Sequence, residues 1–106
     1  MIRALMKKYR KHKEKSIFKK YGTKVEMFNL SREGIVYYAQ WSHPRELPKE
    51  ITQYSVDMLR KYIREGDTVI DIGAHTGDTT LPMALAAGRS GCTFALEPNP
   101  HVYKVL

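Results

Sequence analysis

The second half of this chain is organised by the sequence Val69-Ile70-Asp71-Ile72-Gly73-Ala74-His75-Thr76-Gly77-Asp78-Thr79-Thr80, which leads through a helical run to Ala95-Leu96-Glu97-Pro98-Asn99-Pro100. The apolar residues from Thr68 to Ile72 predict a buried strand that runs into a glycine turn. The turn is expected to open a helix over about Asp78 to Ala87, and a second strand over Cys92 to Leu96 ends on Glu97. Strand, turn, helix, strand and terminal acid form the unit that places a ribose diol beside a carboxylate.

The residue types in this unit suit a bound nucleoside. Gly73 and Gly77 can adopt positive φ and leave room for a ligand to approach the backbone. Free N–H groups at the start of the helix can hold a carboxylate or another anion. Ionised Glu97, which lies 20 residues beyond Gly77, can accept two hydrogen bonds from a diol. Asp71, at the end of the first strand, can meet an ammonium group or a loop amide.

The spacing of the glycines distinguishes between cofactors. A dinucleotide site requires Gly-x-Gly-x-x-Gly so that a pyrophosphate can rest on bare backbone. Here the second glycine position holds His75 and the third holds Asp78, whose carboxylate would repel a pyrophosphate. A P-loop requires a second glycine followed by lysine, and neither is in place. The remaining pattern is Asp-x-Gly-x-x-x-Gly, formed by Asp71, Gly73 and Gly77.

This pattern looks like the first motif of class I methyltransferases that use S-adenosylmethionine, a cofactor with a diol, an ammonium and a carboxylate but no phosphate. The string from Asp71 to Thr80, the Gly66-Asp67 turn before it and Glu97-Pro98-Asn99-Pro100 after it closely resemble the FkbM-type methyltransferase family. The resemblance covers about Leu59 to Leu106.

The resemblance implies a Rossmann-like α/β fold and transfer of a methyl group, commonly to a hydroxyl of a sugar, a glycolipid or a secondary metabolite. The acceptor itself and a catalytic base cannot be named from this chain. The residues that the resemblance implies for binding S-adenosylmethionine are Asp71, Gly73, Ala74, His75, Thr76, Gly77, Glu97, Pro98 and Asn99.

Other interpretations remain open at single residues and for the whole chain. The two glycines can simply form a tight turn, and Glu97 can cap the following helix. His75 is better interpreted as a residue that shapes the turn than as a catalytic base, and Asp78 as the N-cap of the next helix, because N-caps favour Asp. The alternatives to a methyltransferase are a non-catalytic binding or scaffold module and a nicotinamide-dependent oxidoreductase, which His75 and Asp78 argue against.

The length bounds what the chain can build. With 106 residues there is room for one domain. Parallel sheets need cover on both faces, and this chain supplies two parallel strands before a last helix begins at His101. We therefore expect an incomplete methyltransferase domain over residues 25–106, the N-terminal part of a larger fold. Its exposed apolar faces and open sheet edges favour self-association or a partner chain.

The first half of that domain has two further elements. Two β-prone runs, residues 25–30 and 35–41, flank Ser31-Arg32-Glu33-Gly34 and predict a β-hairpin. Tyr37, Tyr38 and Trp41 are expected to pack on the strands, with a substrate cleft as the alternative. A helix is expected from Pro48 to Gly66, because Ile51, Tyr54, Ser55, Met58, Leu59, Tyr62 and Ile63 fall on one face.

The net charge of +7 belongs to a basic arm over residues 1–24, which holds ten basic residues and one acid, whereas the rest has eight basic and ten acidic residues. Ile2, Leu5, Met6 and Tyr9 at helical spacing predict an amphipathic helix, and Ile17, Phe18 and Tyr21 continue a weaker stripe. Such a segment can contact an anionic membrane surface weakly or bind nucleic acid. We favour a solvated helix whose apolar residues pack on the domain, and nucleic-acid binding is not expected.

The remaining composition fits an intracellular protein. The single cysteine, Cys92, excludes an internal disulfide and is expected to be a packed strand residue. The four histidines show no metal-ligand spacing, so no metal site is predicted. No apolar run has the length of a membrane span, and the N-terminus lacks the apolar core of a secretory signal. These features predict a cytoplasmic protein, with the arm as a peripheral contact to membranes.

Overall fold

The computed structural model describes the backbone of residues 1–16 and 20–106, and the side chains of residues 1–12 and 20–106. The described residues form a small mixed α/β domain with two two-stranded sheets. Its elements are α1 (Ile2–Ser16), β1 (Thr23–Leu30), β2 (Gly34–Trp41), α2 (Gln53–Leu59), β3 (Thr68–Ile72), α3 (Thr80–Ala87), β4 (Cys92–Leu96) and α4 (Pro100–Tyr103). The predicted stripe positions Ile17 and Phe18 lie outside the described residues.

The predicted β-hairpin is confirmed. Strands β1 and β2 pair antiparallel from Leu30↔Gly34 to Thr23↔Trp41. Gly34 has φ +77°, which allows the chain to reverse in a tight turn without the steric penalty of a side chain. Because side chains alternate between the two faces of a strand, Tyr38 is buried while Tyr37 is exposed. The hairpin therefore covers the domain with one face only.

Helix α2 is shorter than the sequence predicted. It begins after Thr52, whose hydroxyl accepts a hydrogen bond from the Ser55 N–H at 3.1 Å and so caps the helix. The residues before it cannot be helical, because the Gln40 side chain bonds both the N–H and the carbonyl of Lys49. The prediction of the buried helix face is also partly wrong. Tyr54 and Tyr62, which were expected to be buried, are exposed, whereas Val56, which was not on the predicted face, is fully buried.

The parallel unit β3–α3–β4 follows the prediction more closely. Both strands have the predicted bounds and pair in parallel from Thr68↔Cys92 to Ile72↔Leu96. Helix α3 begins at Thr80, with Thr79 at the N-cap position. The prediction that Asp78 is the N-cap is therefore wrong, and its carboxylate instead lies 3.7 Å from the Lys49 ammonium group.

The hydrophobic core lies between the hairpin, α2 and α3. Its buried members come from β1, β2, the segment before α2, α2 and α3, and are Leu30, Val36, Tyr38, Ile51, Val56 and Ala86. Partly buried residues of α2 and α3 extend it, including Leu59 and Leu85. One consequence matters for the site: the hairpin and α3 share this core, so the hairpin is held against the turn that begins α3.

The second sheet is covered on one face only. The opposite face, here called the open sheet face, consists of Ile70, Ile72, Phe94 and Leu96, which are 59%, 82%, 54% and 52% exposed. The prediction of exposed apolar faces is thus confirmed for the described residues. Cys92 lies at the start of β4 and is exposed, so the expectation that it packs is wrong.

Helix α1 confirms that the basic arm is helical over Ile2–Ser16. Its apolar residues do not pack on the domain, contrary to our expectation, because Ile2, Leu5, Met6 and Tyr9 are all at least 65% exposed. Within the described residues, no helix combines the length and the apolar character that crossing a bilayer requires.

Candidate functional site

The turn between β3 and α3, residues 73–79, is built by three residues with positive φ. Gly73, His75 and Gly77 have φ of +80°, +50° and +87°. The first part of the turn is anchored to the neighbouring strand, since the N–H groups of Gly73 and Ala74 both bond the Leu96 carbonyl, at 2.8 and 3.0 Å. The backbone of the turn is therefore held at the carboxyl end of the sheet, where open α/β sheets bind ligands.

The two glycines of the motif have different surroundings. A Cβ placed on Gly73 would meet no atom within 4 Å, so its exposed face is open to a ligand. A Cβ placed on Gly77 would lie 2.8 Å from Cδ1 of Leu106. Gly77 is buried, and its N–H bonds the Ala74 carbonyl at 2.9 Å. Gly73 thus marks the accessible side of the turn, while Gly77 allows close packing.

Glu97 joins the end of β4 to the turn. One carboxylate oxygen accepts a hydrogen bond from the His75 N–H at 2.8 Å, and the other accepts one from the Asn99 N–H at 2.7 Å. A carboxylate has about four lone-pair positions, so these two bonds leave capacity for a diol. The alternative of a helix-capping Glu97 is wrong, because the cap of α4 is Asn99, whose side chain accepts from the His101 N–H. Pro98, between these two residues, is exposed.

Asp71 faces the start of α3. It is 8% exposed, and its carboxylate accepts a hydrogen bond from the Thr80 hydroxyl at 2.6 Å. This bond links the end of strand β3 to the first turn of helix α3. Asp71 therefore supports the shape of the turn, and its side chain lies further from solvent than that of Glu97.

Thr76 connects the turn to the hairpin. Its side chain is buried, and its hydroxyl shares a short hydrogen bond with the Tyr38 hydroxyl. Burial raises the pKa of Tyr38 above its ordinary value, and the negative charges of Asp78 and Glu46 act in the same direction. Tyr38 is therefore held neutral, as a donor or acceptor beside the turn. The sequence suggested a packing role for it but not this bond, which joins residues 38 positions apart.

His75 is enclosed by side chains from β2 and from the loop after it. Its Nε2 lies 3.3 Å from a Glu46 carboxylate oxygen, and its Nδ1 lies 3.3 Å from the Thr76 hydroxyl. Its ring meets the Trp41 ring edge-on, with centroids 6.2 Å apart. With both nitrogens engaged and a positive φ, His75 fits the predicted role of shaping the turn better than that of a base.

The loop over residues 42–52 thus contributes Glu46 and Lys49 to the site, which the sequence did not predict. Both residues contact the turn: a Glu46 carboxylate oxygen lies 3.3 Å from His75 Nε2, and the Lys49 ammonium group lies 3.7 Å from the Asp78 carboxylate. The two hydrogen bonds between the Gln40 side chain and the Lys49 backbone hold this loop in position. Only the fold brings these residues to the turn, since nothing in their local sequence marks them.

Among the described residues, no group of three or more His, Cys, Asp or Glu side chains is placed to hold a metal ion. Comparison of the chain with protein-family models, with curated proteins and with solved structures found no match.

Proposed function

We propose that the turn and Glu97 bind S-adenosylmethionine, as the cofactor half of a methyltransferase site with a Rossmann-like sheet. One observation carries the proposal: the Glu97 carboxylate is bonded to the turn at the His75 N–H, two residues beyond Gly73, whose exposed face is open. In this arrangement the methionyl part of the cofactor would lie on the turn, and the ribose diol would donate to the free lone pairs of Glu97. Pro98 and Asn99 would border the adenosine.

The side chains of the turn disfavour a dinucleotide. A pyrophosphate needs bare backbone at the second and third glycine positions. At the second, the His75 ring is fixed between Glu46 and Trp41. At the third, Asp78 places a carboxylate at the start of α3, and among the described residues Lys49 is the one cation within ion-pair distance of it. A cofactor without phosphate avoids both obstacles.

The chemistry supplied by this cofactor is an in-line displacement at a sulfonium carbon. The bond from sulfur to methyl breaks as the acceptor oxygen forms its bond to the same carbon, and the acceptor loses its proton to a base or to water. Such a reaction depends mainly on alignment. The residues of this chain would hold and orient the cofactor, and none of them is proposed as the base. The acceptor is proposed to be a hydroxyl of a sugar, a glycolipid or a secondary metabolite.

The proposal is tested by removing the Glu97 carboxylate. Glu97→Ala should abolish measurable binding of S-adenosylhomocysteine, because two charge-assisted hydrogen bonds, together contributing about 2–4 kcal/mol in a complete site, are lost. Equilibrium dialysis with the labelled compound measures this loss. The matched control is Glu50→Ala, which removes an exposed acid with no hydrogen bond or ion pair in the described structure and should leave binding unchanged. Equal binding by both variants would exclude Glu97 from the cofactor site.

A second candidate function is a non-catalytic binding module. The open sheet face favours it, because an exposed apolar surface of this kind marks an interaction site. Binding of S-adenosylhomocysteine that is lost in Glu97→Ala argues for the methyltransferase architecture. A chain that binds no nucleoside but forms a stable complex through the open sheet face would argue for the module.

A further inference from the structure

A pocket of about 240 Å³ lies beside the turn, between the residues that precede β1, the end of β2 and the segment around α4. Two aromatic side chains, Tyr21 and Trp41, form one wall, and Lys20 and Lys104 lie on the rim. Val105 and His101 contribute from the side of α4. None of the motif residues 71–80 and 97–100 lines this pocket, so its chemistry needs a separate explanation.

The aromatic wall is a packed cluster. The rings of Tyr21 and Trp41 meet edge-on, with centroids 6.5 Å apart. His43 packs against both of them, with its ring centroid 4.7 Å from Tyr21 and 4.6 Å from Trp41. A fixed aromatic surface of this kind suits the face of another ring, because stacking requires little further loss of side-chain freedom.

The charge of the pocket has one sign. Lys20 and Lys104 are both exposed, and none of the described residues that line the pocket carries a carboxylate. In the described part of the chain, neither lysine is within ion-pair distance of an acid. An anionic group on a ligand would therefore meet two cations without displacing an existing partner.

The pocket adjoins the proposed cofactor site on two sides. Trp41 lines the pocket and contacts the His75 ring, with centroids 6.2 Å apart. Val105 also lines the pocket, and the next residue, Leu106, lies against Gly77. A molecule in the pocket would thus be separated from the turn by one layer of side chains.

We propose that this pocket binds a compound with one ring and one anionic substituent, of the class of sugar phosphates and sugar acids. Its ring would lie on Trp41 and Tyr21, and its anionic group would meet Lys20 and Lys104. The volume is below the roughly 300–1,000 Å³ of sites for drug-sized ligands, which suits a single ring rather than a nucleotide. Because a layer of side chains lies between it and the turn, this compound is not assigned as the methyl acceptor, and its binding is independent of the proposed function.

Trp41 is the only tryptophan of the chain, so tryptophan fluorescence comes from a single residue, and that residue lines this pocket. Glucose 6-phosphate should change the Trp41 emission in a saturable way. Glucose, which lacks the charge, and inorganic phosphate, which lacks the ring, should each need a concentration at least about fivefold higher for the same change. An equal response to inorganic phosphate would show that the aromatic wall does not contribute. No saturable response to glucose 6-phosphate would overturn the proposal.

Charge variants locate the anionic group. Lys20→Gln and Lys104→Gln should each raise the dissociation constant for glucose 6-phosphate by about two- to fivefold, the range expected for one exposed charge pair. The control Lys61→Gln removes an exposed lysine that does not line the pocket and should leave the constant unchanged. Equal constants in all three variants would contradict the assignment of the anion to this rim.

The test is separated from that of the cofactor site by Glu97→Ala. This variant should lose S-adenosylhomocysteine and keep the Trp41 response to glucose 6-phosphate. A protein that binds S-adenosylhomocysteine but shows no Trp41 response would refute the pocket and leave the proposed function in place. The reverse pattern would retain the pocket as a binding site and refute the proposed function.

Discussion

Gly73 and Gly34 have similar positive φ angles but different positions relative to the proposed site. Their φ angles are +80° and +77°, and a Cβ on either would meet no atom within 4 Å. Gly73→Ala and Gly34→Ala should therefore destabilise the fold equally, by about 1–2 kcal/mol each. If Gly73 carries the cofactor, only Gly73→Ala should also weaken binding of S-adenosylhomocysteine, because the methyl group occupies the ligand's space.

Thermal melts and equilibrium dialysis of the two variants test this prediction together. The pair separates steric exclusion from backbone strain, which a single glycine substitution cannot do. A parallel loss of binding in Gly34→Ala would attribute the effect to stability and would remove Gly73 from the site.

The sequence could predict the individual residues of the turn but not their contacts. The glycines and Glu97 were recognisable because the chemistry of a nucleoside site demands those residue types at that spacing. The bond from Glu97 to the His75 N–H accompanies a positive φ at His75, which this residue type does not predict. The contact between Thr76 and Tyr38 depends on the hairpin packing against α3, a long-range outcome that local patterns do not contain.

At the scale of elements, an ion-pair cluster joins the hairpin turn to α2. The Arg60 side chain donates a hydrogen bond to Glu33, and Gln53 contributes a second one. Together with the positive charge of Arg60, these bonds hold the pKa of Glu33 below its ordinary value of 4.5, although burial opposes them. Arg32 likewise lowers the pKa of Asp57 on α2 through a hydrogen bond.

A lowered pKa gives this cluster a defined pH dependence. The folded state binds the Glu33 proton less readily than the unfolded state, so the stabilisation is present above about pH 4.5 and is lost as the pH falls through the folded pKa. Glu33→Gln should therefore lower the free energy of unfolding near neutral pH by at most about 1 kcal/mol, and the difference should disappear in acid. Urea denaturation at several pH values measures it. A pH-independent difference would show that the hydrogen-bond geometry, rather than the charge, is responsible.

Helix α1 presents its basic residues and its apolar stripe to solvent together. We expect it to bind anionic bilayers weakly, since each basic residue near such a surface contributes about 1 kcal/mol at most and salt screens the attraction. Replacing Lys7, Lys8 and Lys11 by Gln should abolish sedimentation with phosphatidylserine vesicles at low salt. Substitution is preferable to truncation at Val25, because β1 begins at Thr23.

The control for the helix variant has the same loss of charge elsewhere. Arg45, Lys61 and Arg89 are exposed basic residues outside α1. A triple replacement of these residues by Gln should leave vesicle binding largely intact. Equal losses in the two triple variants would show that net charge, and not the helix, attracts the protein to the surface.

The elements were predicted best where a short apolar run is bounded on both sides by turn residues. Strands β3 and β4 have short apolar runs bounded by turn residues, and both were predicted to the residue. The helix before them was predicted too long because its apolar spacing extends beyond Gln53–Leu59, the part that is helical. The hydrogen bonds between the Gln40 side chain and the Lys49 backbone and the Thr52 cap set its actual start, and the first of these contacts joins residues nine positions apart.

At the scale of the whole molecule, the most prominent feature is the open sheet face, an apolar surface that the described elements leave exposed. Four large apolar side chains of β3 and β4 are more than half exposed, and both edges of this sheet are unpaired in the described structure. Such a surface favours association. The number of parallel strands was enough to predict this exposure from the sequence. Which of the two sheet faces is covered depends on where α3 packs, and that could not be predicted.

The chain should therefore self-associate through the open sheet face. Ile72→Asp, at the most exposed of the four positions, should shift size-exclusion elution towards the monomer and reduce binding of a hydrophobic dye. The control is Ile35→Asp on the outer face of the hairpin, where the side chain is 56% exposed. A protein that is monodisperse and monomeric without substitution, with a cooperative melt, would contradict the prediction.

The same feature limits catalysis by these 106 residues. With one sheet face and both edges uncovered, the described structure offers the cofactor a turn and a carboxylate but no second wall for adenine. We expect S-adenosylmethionine to bind no tighter than about millimolar, near −4 kcal/mol, and we expect no methyl transfer. An assay with labelled cofactor and a panel of hydroxylated acceptors checks this, and turnover would show that fewer elements suffice.

The central claim, that the turn and Glu97 form a site for S-adenosylmethionine, is tested most directly by amide chemical shifts. The isotope-labelled chain is titrated with S-adenosylhomocysteine and, separately, with NAD. The account predicts saturable shifts for S-adenosylhomocysteine that centre on Gly73, Ala74, His75 and Glu97, with a weaker and non-saturating response to NAD. Shifts that are absent at about 10 mM, that centre on other residues, or that are larger with NAD would contradict it.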